Sequence, residues 1–241
     1  MYWHDALLVL IAMASEFLGT ISGFGSSTFF LPIGVLIEQF NFILMLTAVL
    51  HIFGNISKLY LFRKSFNFKM FSAFALPTLV LTGMGALLSR YVPIDKLKTV
   101  LGLFIMSLAL ILYFKQKIIS RLTTSNAVIA VGVSGFLTGL MGTGGALRGV
   151  ALASLQLEKN VFVALSSGID LGGDLVRGAI YFFNGYFDWS HWFYIPLLLV
   201  AGYAGSFFGR IVLNKLNQEQ FEKIVIIFIF ISGLILLFEK S

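Results

Sequence analysis

Two apolar stretches of this sequence carry polar triplets at one shared spacing. His51, Asn55 and Lys58 stand at i, i+4 and i+7, and so do Asp170, Asp174 and Arg177. On a helix that spacing puts each triplet on a single face. An imidazole, an amide, two carboxylates and two cations brought face to face can hold an anion, pass a proton, or pair with one another. Ionisable residues inside apolar spans are costly and tend to face a cavity or a partner. Asn55, Lys58, Asp174 and Arg177 are therefore read as lining a binding site, with His51 and Asp170 as candidate carriers of a coupling proton. The plainer alternatives are an ion pair between Asp174 and Arg177 that tightens one helix, and a Lys58 that snorkels to the membrane surface.

Two glycine-rich strings complete the chemistry. The run Gly139-Leu140-Met141-Gly142-Thr143-Gly144-Gly145-Ala146-Leu147-Arg148-Gly149 interrupts apolar sequence with five glycines and an arginine. The run Gly19-Thr20-Ile21-Ser22-Gly23-Phe24-Gly25-Ser26-Ser27-Thr28 interrupts it with glycines and hydroxyls, and Glu16 precedes it. Glycine frees the backbone to leave a helix. A break at membrane depth is tolerated where protein or a water-filled cavity satisfies the freed groups. A helix restarting after each break would aim its N-terminal N–H groups and positive dipole end inward, a ready anion site. Ser22, Gly23, Gly25, Ser26 and Ser27 with Gly142, Gly144, Gly145 and Arg148 are the substrate-binding candidates, and Glu16 joins the proton carriers. Arg148 could instead be the counter-ion of Glu16, Asp170 or Asp174, and the glycines could serve close helix packing.

The elements that position these residues are membrane helices. Of 241 residues 58% are hydrophobic and 12% charged, and the mean hydropathy is +0.93; a soluble domain is about 25% charged. Apolar runs fall at about 5–18, 26–37, 42–62, 70–90 and 97–114, and again at about 126–141, 146–157, 161–183, 191–213 and 222–238. A crossing needs about 20 residues, so the first two runs of each set read as half-helices of a hairpin that dips in and returns. An offset of 119 residues lays Gly23 on Gly142, Gly25 on Gly144, Gly54 on Gly173, Pro77 on Pro196 and Gly83 on Gly202, without a gap. The same offset lays His51, Asn55 and Lys58 on Asp170, Asp174 and Arg177.

Charge orients the repeat. The loop from Arg63 to Lys69 holds three basic residues, whereas its counterpart from Asn184 to Ser190 holds none. Basic loops stay on the cytoplasmic side, so matching loops lie on opposite faces and the halves are inverted. Both termini are expected to be external. The expected fold is an all-α polytopic membrane protein, a single transmembrane domain over 1–241. Its two inverted repeats, about 5–114 and 126–238, each hold a re-entrant broken-helix hairpin plus three transmembrane helices. Gly83, Gly85, Gly202 and Gly205 are expected to be close-packed contacts that let helices slide.

Composition also excludes. Cysteine is absent, which removes disulfides, thiolate metal sites and cysteine nucleophiles. Neither HExxH nor GxSxG occurs, which makes an intramembrane enzyme the weaker rival to a transporter, and neither metal nor cofactor is expected. The +6 net charge sits in short loops, which speaks for topology rather than nucleic acid.

The string Gly135-Phe136-Leu137-Thr138-Gly139-Leu140-Met141-Gly142-Thr143-Gly144-Gly145 resembles the glycine signature of the TauE/SafE sulfite-exporter family, also called the toluenesulfonate uptake permease family. The first string carries serines at Ser26 and Ser27 where the family's glycine is usual, with Pro32 following as in the family. The resemblance implies a secondary transporter in the cell membrane, moving a small anion such as sulfite, sulfoacetate or a taurine-like sulfonate by alternating access. It implies coupling to an ion gradient, the proton being the candidate ion. The expected partners are the anionic substrate and the lipid bilayer; a homo-oligomer is left open. A passive anion channel, an intramembrane enzyme and a non-transporting assembly subunit are the rivals.

Overall fold

The polar triplets dictate where two long helices must go: their charged faces cannot meet lipid, so they must meet each other. In the computed structural model, which describes residues 3–23, 25–92, 123–221, 223–224 and 227, they do. The described residues form helices and no strand. They are α1 (Trp3–Ser22), α2 (Ser27–Gly34), α3 (Phe40–Leu61), α4 (Phe68–Leu88), α5 (Thr124–Met141), α6 (Gly145–Ala153), α7 (Lys159–Phe183) and α8 (Tyr194–Lys215). The expected runs at 97–114 and, in the main, 222–238 lie outside the described residues.

Local chemistry sets several of the boundaries. Asn67 caps α4 by accepting the Met70 N–H at 3.0 Å, and Thr123 caps α5 by accepting that of Asn126 at 3.3 Å; both satisfy donors that a helix start leaves orphaned. Lys159 donates to the carbonyls of Leu213 and Leu216 at the end of α8, a cation on the negative end of a helix dipole. Pro196 stands third in α8, where its missing N–H costs nothing.

Helices α1, α3, α4, α5 and α8 are long and apolar enough to cross a membrane. This corrects the half-helix expectation for the first member of each pair. α1 has 20 residues and α5 has 18, because helix continues through small polar residues that do not look apolar in sequence. The second members are short, 8 residues in α2 and 9 in α6, or about 12–14 Å at 1.5 Å per residue. Each break therefore joins a crossing helix to a half-length one.

Close approaches reveal helix direction. Asp5 meets Tyr194, Gly205 lies on Met13 to Phe17, and Gly209 on Phe17 to Thr20, so α1 and α8 are parallel. Gly202 against Gly54 and Arg210 over Phe62 make α3 parallel to α8. Gly132 on Pro77, Gly135 on Thr78 and Gly139 on Thr82 make α4 and α5 parallel, and Gly168 on Phe71 with Gly173 on Thr82 add α7 to that set. α3 and α7 are antiparallel: Gly178 lies on Ala48 and Ile52 while Gly168 reaches Phe66 beyond the end of α3. Two sets of three parallel helices thus meet along α3 and α7, which are 72% buried in the case of α3. The outer flanks show Leu10, Leu76, Val80 and Phe183, apolar surface of the extent that marks a membrane contact.

Candidate functional site

All seven ionisable residues singled out in the triplets and beside the breaks come together in the interior. Glu16, His51, Lys58, Arg148, Asp170, Asp174 and Arg177 are each at most 5% exposed. Lys58 does not snorkel: its Nζ stands 2.8 Å from Glu16 Oε1, and both side chains are buried. Geometry explains this, since the Glu16 carboxyl occupies the space that a side chain on Gly54 would fill, 2.4 Å from its Cβ position. Gly54, one turn before Lys58, lets the carboxylate reach the lysine. Ser26 and Ser206 also donate to Glu16, at 2.6 and 3.1 Å.

The second cluster crosses the α3–α7 seam. Asp174 accepts from Arg177 Nε at 2.8 Å and from Asn55 Nδ2 at 2.8 Å, and its Oδ2 lies 3.4 Å from His51 Nδ1. Arg177 Nη1 donates to the Gly142 carbonyl at 3.4 Å, and its Nη2 is buried without a hydrogen-bond partner. The ion pair expected of Asp174 and Arg177 is therefore present, and it carries an unsatisfied guanidinium N–H beside the second break. In the third cluster Arg148 pairs with Asp170 and donates from Nε to Ser166 at 3.1 Å.

Gly25 links the clusters. Its φ is +104°, in the region that favours glycine. A Cβ there would stand 3.3 Å from His51 Cε1, 3.5 Å from Arg148 Nη2 and 3.8 Å from Asp170 Oδ2. Three ionisable groups from α3, α6 and α7 thus converge on bare backbone at the first break. The adjacent Ser27 N–H donates to His51 Nε2 at 2.8 Å. That bond makes Nε2 an acceptor, so the neutral ring carries its proton on Nδ1, facing Asp174.

The cations near the breaks are not left bare. Lys58, Arg148 and Arg177 each face a carboxylate, from Glu16, Asp170 and Asp174, so the charges of these pairs balance among the described residues. Low dielectric enforces this, because a lone buried charge costs several kcal/mol. One α2 N–H is likewise taken by His51 rather than left for an anion.

The remaining candidates make mainly steric contacts, apart from the Gly142 carbonyl that Arg177 meets. A Cβ on Gly23 would meet Phe162 and Val163, and one on Gly142 would meet Leu44 and Leu31. Both glycines hold left-handed backbone, φ +77° and +76°. Gly144 folds back onto α5, where its carbonyl accepts the Ser134 hydroxyl at 2.7 Å; Gly145 opens α6. Ser22 donates to the Gly19 carbonyl at 3.3 Å. Sequence reading missed Ser206, which carried no spacing signal, and Ser166, whose place one turn before Asp170 could have revealed it.

A family model confirms what the glycine string resembled. That of Sulfite exporter TauE/SafE matches residues 7–236. The chain belongs to this family. The family is named for sulfite export, and its model spans both breaks around which the charged groups gather. No curated protein and no solved structure matches the chain.

Proposed function

We propose that the protein is a secondary transporter of a small sulfur oxyanion or organosulfonate, with its site at the convergence of His51, Arg148 and Asp170 on Gly25. The observation that carries this reading is that three ionisable side chains from three helices meet at backbone without a side chain, inside a member of a transporter family. A sulfonate or sulfite would take guanidinium N–H donors from Arg148, the most suitable cation for a tetrahedral oxyanion, and from Arg177 Nη2. Lys58 and Asn55 would line the site, with the hydroxyls of Ser22, Ser26 and Ser27 at its serine-rich edge.

Balanced charge makes coupling a physical necessity in this scheme. An anion must compete with Asp170 for Arg148. A proton on Asp170 removes the competitor, so proton and anion favour each other's binding by linkage. His51, between the Ser27 N–H and Asp174, can relay charge to the second cluster, and Glu16 would play the same part for Lys58. The cargo and proton would then move in the same direction.

Inverted repeats supply alternating access. Helix directions support them: α1 against α5, α3 against α7 and α4 against α8 run oppositely at the 119-residue offset. So does the bond between Asn55 and Asp174, which are themselves 119 residues apart, as expected where a pseudo-two-fold axis passes between repeats. Gly85 on Phe136 and Gly205 on Met13 and Glu16 are backbone-close contacts along which the sets could shift, with Gly202 on Gly54 and Gly83 near Val176. Arg63, Lys64, Lys69, Lys159, Arg210 and Lys215 gather at one end of the bundle while Asp5, Glu38 and Asp188 mark the other, which supports a cytoplasmic-membrane protein whose N-terminus is external.

The test is uptake of labelled sulfite, sulfoacetate and taurine into proteoliposomes, with and without a pH gradient. Saturable flux that rises with an inward proton gradient is expected. Unsaturable, uncoupled flux would make the protein a passive anion channel, and no flux of any sulfur anion would remove the substrate assignment.

A further inference from the structure

A polar cavity of about 410 Å³ lies at the basic end of the bundle. Tyr60 to Ser65, Asn160, Arg210 and Asn214 line it. Three cations, Arg63, Lys64 and Arg210, face it, and none of them has an ion pair with a carboxylate among the described residues. Two are held by rings: Arg63 stacks over Tyr60 at 5.0 Å and Arg210 over Phe62 at 5.6 Å, an arrangement that fixes a guanidinium without spending its N–H donors. Asn160 adds a buried Oδ1 that accepts no hydrogen bond. The cavity therefore offers positive charge to a dianion or monoanion and an acceptor to a hydroxyl or amine beside it.

Below the cavity the surface changes character. Gly202 and Ser206 turn toward α3, and Tyr203, Phe207, Arg210 and Asn214 lie on the adjoining flank of α8 by the 3.6-residue period. Ile56 and Tyr60 occupy the matching outer flank of α3, beyond Phe53, which meets Gly202. Ile56, Tyr60, Tyr203 and Phe207 are all at least 40% exposed. An apolar trough between α3 and α8 thus leads directly into a cationic cavity at the membrane surface.

We propose that this cavity binds the phosphate headgroup of an anionic glycerophospholipid, with one acyl chain along the α3–α8 trough. Arg63, Lys64 and Arg210 take the phosphate, and Asn160 takes a headgroup hydroxyl. Basic pockets between membrane helices are suited to such headgroups, and the trough distinguishes a lipid from a free oxyanion, which has no use for apolar surface. Arg63 and Lys64 lie past the end of α3 at Leu61, and neither they nor Arg210 belong to the buried charge pairs, so the proposal does not depend on the transport reading.

The experiment uses the full chain in neutral detergent, titrated with dioleoylphosphatidylglycerol, with dioleoylphosphatidylcholine, or with inorganic phosphate, and reads bound lipid by native mass spectrometry and thermal stability. Phosphatidylglycerol is expected to bind and stabilise in preference to phosphatidylcholine, with inorganic phosphate at the same concentration without effect. Arg210→Gln and the pair Arg63→Gln and Lys64→Gln are expected to weaken that preference by about fivefold per cation removed, while Lys69→Gln leaves it intact. Equal binding of both lipids by the unmodified protein overturns the proposal whatever the variants do. Stabilisation by inorganic phosphate equal to that by phosphatidylglycerol overturns it in favour of a soluble anion, and so does a Lys69→Gln effect matching that of Arg210→Gln in favour of surface charge alone.

Discussion

The two breaks open on one backbone turn and carry different chemistry. Gly23 and Gly142 turn the chain with φ of +77° and +76°, and each break leads from a crossing helix into a half-length one. After that turn they diverge. The first break offers a bare glycine, the Ser26 hydroxyl bound to Glu16 and the Ser27 N–H bound to His51. The second offers glycines packed against leucines and against Ser134, with Arg177 on the Gly142 carbonyl and Arg148 one turn into α6. Duplication of a turn therefore did not duplicate a site. The shared feature is steric, since only glycine adopts that backbone cheaply, while the polar groups differ because each half supplies what the other lacks.

Arg148→Ala should break the comparison most severely. It leaves Asp170 buried without its cation and takes away the substrate's main donor, so flux should fall by about a hundredfold or more, on the scale of 3–5 kcal/mol for an unpaired buried charge. Vesicle uptake with a membrane-insertion control measures it, and normal transport would strip the second break of its assigned role. Glu16→Gln tests the first break in the same way. Lys58 then loses its partner, and the midpoint of thermal unfolding in detergent should drop by an amount corresponding to about 3 kcal/mol; an unchanged midpoint would mean Lys58 finds other company.

A glycine swap sharpens the contrast. Gly144→Ala drives a Cβ to 2.2 Å from the Ser134 carbonyl oxygen, backbone that cannot yield, so it should lower folded yield. Gly25→Ala meets only side chains at 3.3 Å or more, at the cost of left-handed strain of about 1–2 kcal/mol. It should leave the protein folded and raise the apparent KM for the anion. Fluorescence-detected gel filtration beside uptake kinetics separates the two outcomes, and identical behaviour at both positions would deny the asymmetry. Ser26→Ala removes one of three contacts to the Glu16 carboxylate and leaves Lys58 and Ser206 in place, so it should alter the relative rates for sulfite and taurine more than overall stability.

The smallest effect belongs to the loop facing away from the basic end. Ser190 donates its hydroxyl and its backbone N–H to Asp188, which holds that carboxyl below its usual range. A depressed folded pKa means any stability it contributes is present above the unfolded carboxylate range and is lost as pH falls through the lower folded value. Asp188 is solvent-exposed, so Asp188→Asn should leave both uptake and its pH profile unchanged. A shifted profile would relocate part of the proton coupling from the interior to this loop.

Much of this was legible in the chain itself. The spacing of His51, Asn55 and Lys58, repeated in Asp170, Asp174 and Arg177, placed two polar faces on two helices, and the cost of unpaired charge in an apolar solvent drives such faces together. The glycine strings marked both breaks and the family. Helix length around the breaks was not legible, because Gly19, Thr20 and Ser22 carry α1 past its apolar run and Thr124 and Ser125 open α5 ahead of its own.

What sequence determined was therefore the inventory: membrane helices, two breaks, and charges that lipid cannot accept. What only the tertiary structure decided was the pairing. Glu16 with Lys58 and Arg148 with Asp170 are separated by 42 and 22 positions in the chain, and nothing in spacing selects them over the other combinations of three anions and three cations. Burial selects them. With water excluded, each charge must find its partner within hydrogen-bonding reach, and that reach is set by how α1, α6 and α7 pack around Gly25 and Gly54.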